Sequence, residues 1–168
     1  MSAVGLLLLV LLTPACGDWF KKKAPETAAT LEAVQEPKLR LIDVNSEEVF
    51  NDAHIPGAIN LSVDRIEEVA KDWNKKTPVV VYCSDYTCQA SHGAAQKFTQ
   101  LGFEDVSIYA GGINEWYKKG KDNLTAYPLE GEHKQAFLEK DVAVATPKEG
   151  ERVISADDLS KRLEEAKK

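Results

Sequence analysis

Residues 39–44, Leu-Arg-Leu-Ile-Asp-Val, alternate closely enough to predict a strand, and Ser46 followed by Glu47, Glu48, Val49 and Phe50 reads as an N-capped short helix. His54-Ile55-Pro56-Gly57-Ala58 carries the Pro and Gly of a turn, and Ile59-Asn60-Leu61 is a second short strand. Residues 63–73 switch to a helical period, with Ile66, Val69, Ala70 and Trp73 on one face. Pro78 then opens Val79-Val80-Val81-Tyr82-Cys83, an uninterrupted apolar run of the kind buried on both faces of a parallel sheet. A polar stretch leads into a helix predicted over 89–101, Gly102 stops it, and Val106-Ser107-Ile108-Tyr109 predicts the next strand. Strands alternating with helices predict an α/β domain, a parallel sheet with helices on both faces. In such sheets ligands bind at the carboxyl ends of strands, beside helix N-termini, and Cys83 ends the central apolar strand.

Beyond Trp116 the pattern weakens. Residues 130–141 predict one more helix, and Ser155-Ala156-Asp157-Asp158 is a capping box that opens a highly charged one. Its apolar positions are few, chiefly Leu159, Leu163 and Ala166, so it is expected to pack lightly. Residues 131–168 therefore read as a helical C-terminal extension to a domain spanning 30–130. The 168 residues hold one domain with tails, and 43% hydrophobic with 29% charged residues is ordinary globular composition. A net charge of -6 argues against a nucleic-acid partner, since the tight basic cluster, Lys21 to Lys23, precedes the fold.

The first residues bear on compartment. Val4 to Leu12 is a leucine-rich run of signal-peptide length, too short to span a bilayer, although Met1-Ser2-Ala3 supplies no Lys or Arg before it. Thr13-Pro14-Ala15-Cys16 resembles the cleavage and lipidation box of a bacterial lipoprotein, with Thr13 where that pattern usually has Leu. Residues 1–15 are thus expected to be a signal peptide, Cys16 the lipidation site and 16–29 a solvated tether. The domain would then be exported and anchored to a bacterial membrane on its periplasmic or cell-surface side. Cleavage after Ala15 without lipidation stays open as the alternative.

Four segments, Leu41-Ile42-Asp43-Val44, His54 to Leu61, Val79 to Cys83 and Gly111-Gly112-Ile113-Asn114-Glu115-Trp116, occur in an order and at intervals that resemble the rhodanese-like domains. The resemblance implies a small five-stranded parallel sheet flanked by helices, no cofactor and no metal. It also implies a Cys at position 83 that carries a sulfane sulfur as a persulfide, hence a sulfurtransferase moving sulfur from a small donor to a thiol or other nucleophilic acceptor. The chain departs from the family pattern in three places. Asn45 and Val49 stand where the family usually has Arg and Glu; the loop after Cys83 is longer than in the common single-domain form; and no Lys or Arg occurs from Tyr82 to Gln96. Without a cationic clamp of its own, that loop favours polysulfide or persulfide donors over thiosulfate.

A thiol attacks as thiolate, which a helix N-terminus and surrounding backbone N–H groups favour. Cys83 is placed for both, with Ser84, Asp85, Tyr86, Thr87, Cys88 and Gln89 as its substrate-binding loop. The plainer alternative is a small buried residue finishing a core strand. Cys88 admits a resolving or disulfide role with Cys83, or an inert one. Asp85 is expected to shape the loop, because a carboxylate beside a thiolate opposes ionisation. His92, on the first turn of a helix, is expected to be solvated rather than paired with the thiolate. Asp43 and His54 are expected to hydrogen-bond backbone around turns. Besides the enzyme, two further classes remain: a tethered binding module without turnover, and a thiol-disulfide redox protein using Cys83 and Cys88.

Overall fold

The computed structural model describes residues 36–168; the signal, Cys16 and tether readings, and the first residues of the expected domain, lie outside the described residues. The chain runs β1 (Arg40–Asp43), α1 (Glu47–Asp52), β2 (Ile59–Asn60), a 3-10 turn (Val63–Arg65) into α2 (Ile66–Ala70), β3 (Val79–Tyr82), α3 (Ala90–Gln100), β4 (Val106–Tyr109), α4 (Gly112–Asp122) and α5 (Ala156–Ala166). The strands form one parallel sheet in the order β2-β1-β3-β4. Alternate strand residues point to opposite faces, which divides the core in two. Ile42, Val79, Val81 and Ile108 meet Ile66 and Ala70 of α2 and Ala94 and Phe98 of α3. Leu41, Val80, Tyr82 and Tyr109 meet Ile113 and Trp116 of α4 on the other side.

The expected α/β architecture with helices on both faces is present, but among the described residues the sheet has four strands rather than five. Outside β4, the place of a further strand is taken by a short parallel bridge. The Ile108 N–H donates to Arg152 O at 2.8 Å, and the Ile154 N–H to Ile108 O at 2.9 Å.

The expected light packing of the C-terminal helix is overturned. Ser155 and Asp158 form the capping box, and Ala156 and Leu159 are buried in the second core with Leu138 and Ile154, which precede the helix. Those two upstream residues supply the apolar surface that α5 itself lacks. The helix predicted over 130–141 shrinks to a 3-10 turn, Ala136–Glu139. Here Glu130 pairs with His54 in an antiparallel bridge, and Gly131 and His133 take positive φ of 116° and 57°. The Asp52 carboxylate accepts the N–H groups of Lys134 at 2.9 Å and Gln135 at 3.0 Å, holding the backbone away from a helix. Asn114, buried on α4, donates its amide to the carbonyls of Phe137 at 2.7 Å, Leu138 at 3.1 Å and Lys140 at 3.0 Å, and so ties this segment to the domain.

Asp43 ends β1 fully buried. Its Oδ1 accepts the Asn45 N–H at 2.8 Å while Oδ2 has no partner, and burial pushes the carboxyl from 3.8 up to about 6 against that hydrogen bond. The folded protein therefore keeps the Asp43 proton at pH values where the unfolded chain has released it. This contribution is full below about pH 4 and is lost as the pH rises through 6, about 3 kcal/mol in all. Asp43→Asn is expected to remove that downward slope, measured by urea unfolding across the interval. An unchanged slope in the variant would show that other groups set it.

Candidate functional site

β3 ends at Tyr82 and delivers Cys83 to the carboxyl edge of the sheet, 1% exposed. The backbone there is gripped from α4: the Ile113 N–H donates to Cys83 O and the Asn114 N–H to Ser84 O, both at 2.9 Å. This approach depends on Gly112, whose φ is +59° and whose missing Cβ would stand 2.7 Å from Ser84 C and 2.8 Å from Asp85 N. The loop then curls. Asp85 Oδ1 accepts from the Thr87 N–H at 2.8 Å and the Thr87 hydroxyl at 2.6 Å, and the Cys88 N–H donates to Asp85 O at 3.1 Å. Such an aspartate-stabilised turn reverses the chain. It brings Cys88 back over Cys83, and the two are joined as a disulfide with a Cα–Cα distance of 6.4 Å.

On its other side Cys83 faces α3. The Ser91 hydroxyl lies 3.4 Å from Cys83 Sγ and the Cys88 carbonyl 3.6 Å from it. No side chain caps α3, and Ser91, whose hydroxyl lies beside the sulfur, stands in its first turn, at the positive end of the helix dipole. A sulfur anion at this point meets a hydroxyl donor and a helix N-terminus in a setting largely closed to water.

Residues 26–119 match the family profile described as the rhodanese-like domain. The chain belongs to that family. It is similar to the thiosulfate sulfurtransferase GlpE of Tolumonas auensis, 34% identical over 58% of this chain and 88% of that protein. It also resembles the protein of that name from Pseudomonas syringae pv. syringae, 32% identical over 66% of this chain and 93% of the relative. Among solved structures, the BH2092 protein of Bacillus halodurans is 32% identical with a TM-score of 0.50, over 57% of this chain and 66% of that one.

Within this rhodanese-like domain the expected loop residues take separate roles. Ser84 offers its carbonyl to α4, Asp85 and Thr87 build the turn, and Tyr86 packs against the first core. Burial, with the Glu115 carboxylate adding to it, pushes the Tyr86 phenol up to about 12. Gln89 is exposed at the start of α3. Asp43 bonds the backbone of Asn45, as above, and the His54 ring Nδ1 that of Phe50 at 2.8 Å.

His92 departs from expectation. It is buried rather than solvated, and its Nδ1 lies 2.8 Å from Glu151 Oε1, with both side chains largely covered. The segment that covers it, leading into the bridge at β4, also brings Lys148 Nζ to 2.6 Å from Gln89 Oε1. The cation that the loop lacks in sequence thus reaches its rim from 59 residues away. No local signal marks either partner, because spacing and periodicity report neighbours along one element and not across two.

Proposed function

We propose that this protein is a sulfurtransferase in which reduced Cys83 takes a sulfane sulfur from a small donor, holds it as a persulfide and passes it to a thiol or other nucleophilic acceptor. The observation that carries this reading is the placement of Cys83 Sγ, at the end of a buried strand, 3.4 Å from the Ser91 hydroxyl and against the uncapped start of α3. These are the groups that favour a thiolate and then the terminal sulfur of a persulfide. The names of the curated relatives support the same reaction class. Reduced Cys88→Ser protein, in which the neighbouring loop thiol is absent, is expected to gain one sulfur on incubation with a polysulfide, located at Cys83 by intact mass and peptide mapping. Thiosulfate is expected to load less, because the described cation hydrogen-bonded to the loop, Lys148, is held at its rim by Gln89. If neither donor adds sulfur, the binding-module reading takes its place.

The same proposal extends to location. The leader-like run before Ala15 and the placement of Cys16 fit a lipid anchor on the outer side of a bacterial membrane. Cys16→Ser is expected to move the protein from the membrane fraction to the soluble one. Membrane association unchanged by the substitution, with an unmodified mature N-terminus, would exclude the anchor.

A further inference from the structure

Cys88 occupies the one bonding position on Cys83 Sγ that a sulfane sulfur would need, so a disulfide and a persulfide on Cys83 exclude each other. The turn that puts Cys88 there is built by Asp85 and Thr87 through bonds that involve neither sulfur, and it is available to the reduced chain as well. Resting on the persulfide reading above, we propose that Cys88 discharges the Cys83 persulfide inside the same loop and releases its sulfur as hydrosulfide. The protein thereby reduces sulfane sulfur at the expense of a dithiol.

The Cys88 sulfur attacks Cys83 Sγ, the Cys83 Sγ–Cys88 Sγ bond forms, and the bond from Cys83 Sγ to the outer sulfur breaks. The outer sulfur leaves with the bonding pair and with the Cys88 thiol proton, as HS⁻. Sulfane sulfur gains two electrons, and the two thiols lose two in becoming the disulfide. Displacement at sulfur runs in line, so the departing atom leaves on the side of Sγ away from Cys88. The disulfide in the structure joins the same two sulfurs that this step would join.

Resetting the loop requires a reductant, and the exposures of the two cysteines say where it enters. Cys83 is 1% exposed while Cys88 is partly open to solvent, so an incoming thiolate reaches Cys88 and the Cys83 thiolate is the leaving group beside Ser91 and α3. The mixed disulfide left on Cys88 is cleared by a second thiol, which makes a dithiol the fitting co-substrate. A free thiol acceptor would instead compete with Cys88 for the persulfide.

The test uses single turnover. Reduced protein is loaded with polysulfide, freed of donor and thiol, and followed for hydrosulfide and for intact mass. Wild type is expected to release its bound sulfur as hydrosulfide at a rate independent of protein concentration, and to finish two hydrogens lighter than the reduced chain. Cys88→Ser and Cys88→Ala are expected to keep the added sulfur until dithiothreitol is supplied. Equal release from wild type and both variants, or a wild-type chain that retains its sulfur as they do, would overturn the proposal while leaving Cys83 as the sulfur carrier. If the variants take up no sulfur at all, the Cys83 reading itself falls and this step with it.

Discussion

Cys83→Ser is expected to lower sulfur loading to the level of a protein-free control, the largest functional loss any single substitution here should cause. An alkoxide is far less accessible than a thiolate near neutral pH, and serine cannot hold a sulfane sulfur in an S–S bond. The protein should stay folded. Burying a hydroxyl costs about 1–3 kcal/mol when it is left unpaired, but the Ser91 hydroxyl and the Cys88 carbonyl lie 3.4 and 3.6 Å from the sulfur it would replace. Cys83→Ser and Cys88→Ser both abolish the disulfide and its chain-closing effect, so comparing them separates chemistry from that loss. Loading retained in the Cys83 variant, or loss of loading equal in both, would remove Cys83 from the role of carrier.

Gly112→Ala should cause the largest loss of stability and take the site with it. An alanine at φ +59° costs about 1 kcal/mol or more in left-handed strain. Its Cβ would also press on the backbone of Cys83, Ser84 and Asp85, where no flexible side chain can yield. Relief requires α4 to back away from the loop, which breaks the Ile113–Cys83 and Asn114–Ser84 hydrogen bonds together. With about 1 kcal/mol for each bond, the total is roughly 3 kcal/mol or more. Urea unfolding should show the lower midpoint, and alkylation of the reduced protein should show Cys83 more accessible than in wild type. A wild-type midpoint with wild-type loading would mean that the close approach is dispensable.

Much of this was readable in the sequence because it is local. Val79 to Cys83 is apolar throughout since β3 is buried on both faces, and that alone located the sulfur at the sheet edge. Ser46 and Ser155 announced their helices because a cap involves residues three apart. Asp85 was legible as a loop-shaping residue for the same reason. His92 was not, since its environment depends on Glu151, which approaches from another part of the chain. The segment around 130–141 misled because its composition suits a helix, while the Asp52 carboxylate, 82 and 83 residues before the N–H groups it accepts, holds it otherwise. The four strands read from the pattern are the four in the sheet; the count of five came from the family resemblance, and beside β4 the described chain makes only a single parallel bridge.

The match to the family ends at residue 119, yet Leu138, Ile154, Ala156 and Leu159 are buried against Tyr109 and Trp116. A ribosome making this chain therefore completes β1 to β4 and the Cys83 loop well before it delivers the residues that seal one face of the sheet. Until then the sheet face covered by Leu138, Ile154 and Leu159 and the β4 edge paired by Arg152 and Ile154 lack those partners, and such surfaces are where partly made proteins stick to one another. Its two loop thiols pack in the other core and are by then already in place, so oxidation before release would pair them while one face of the sheet is still unsealed.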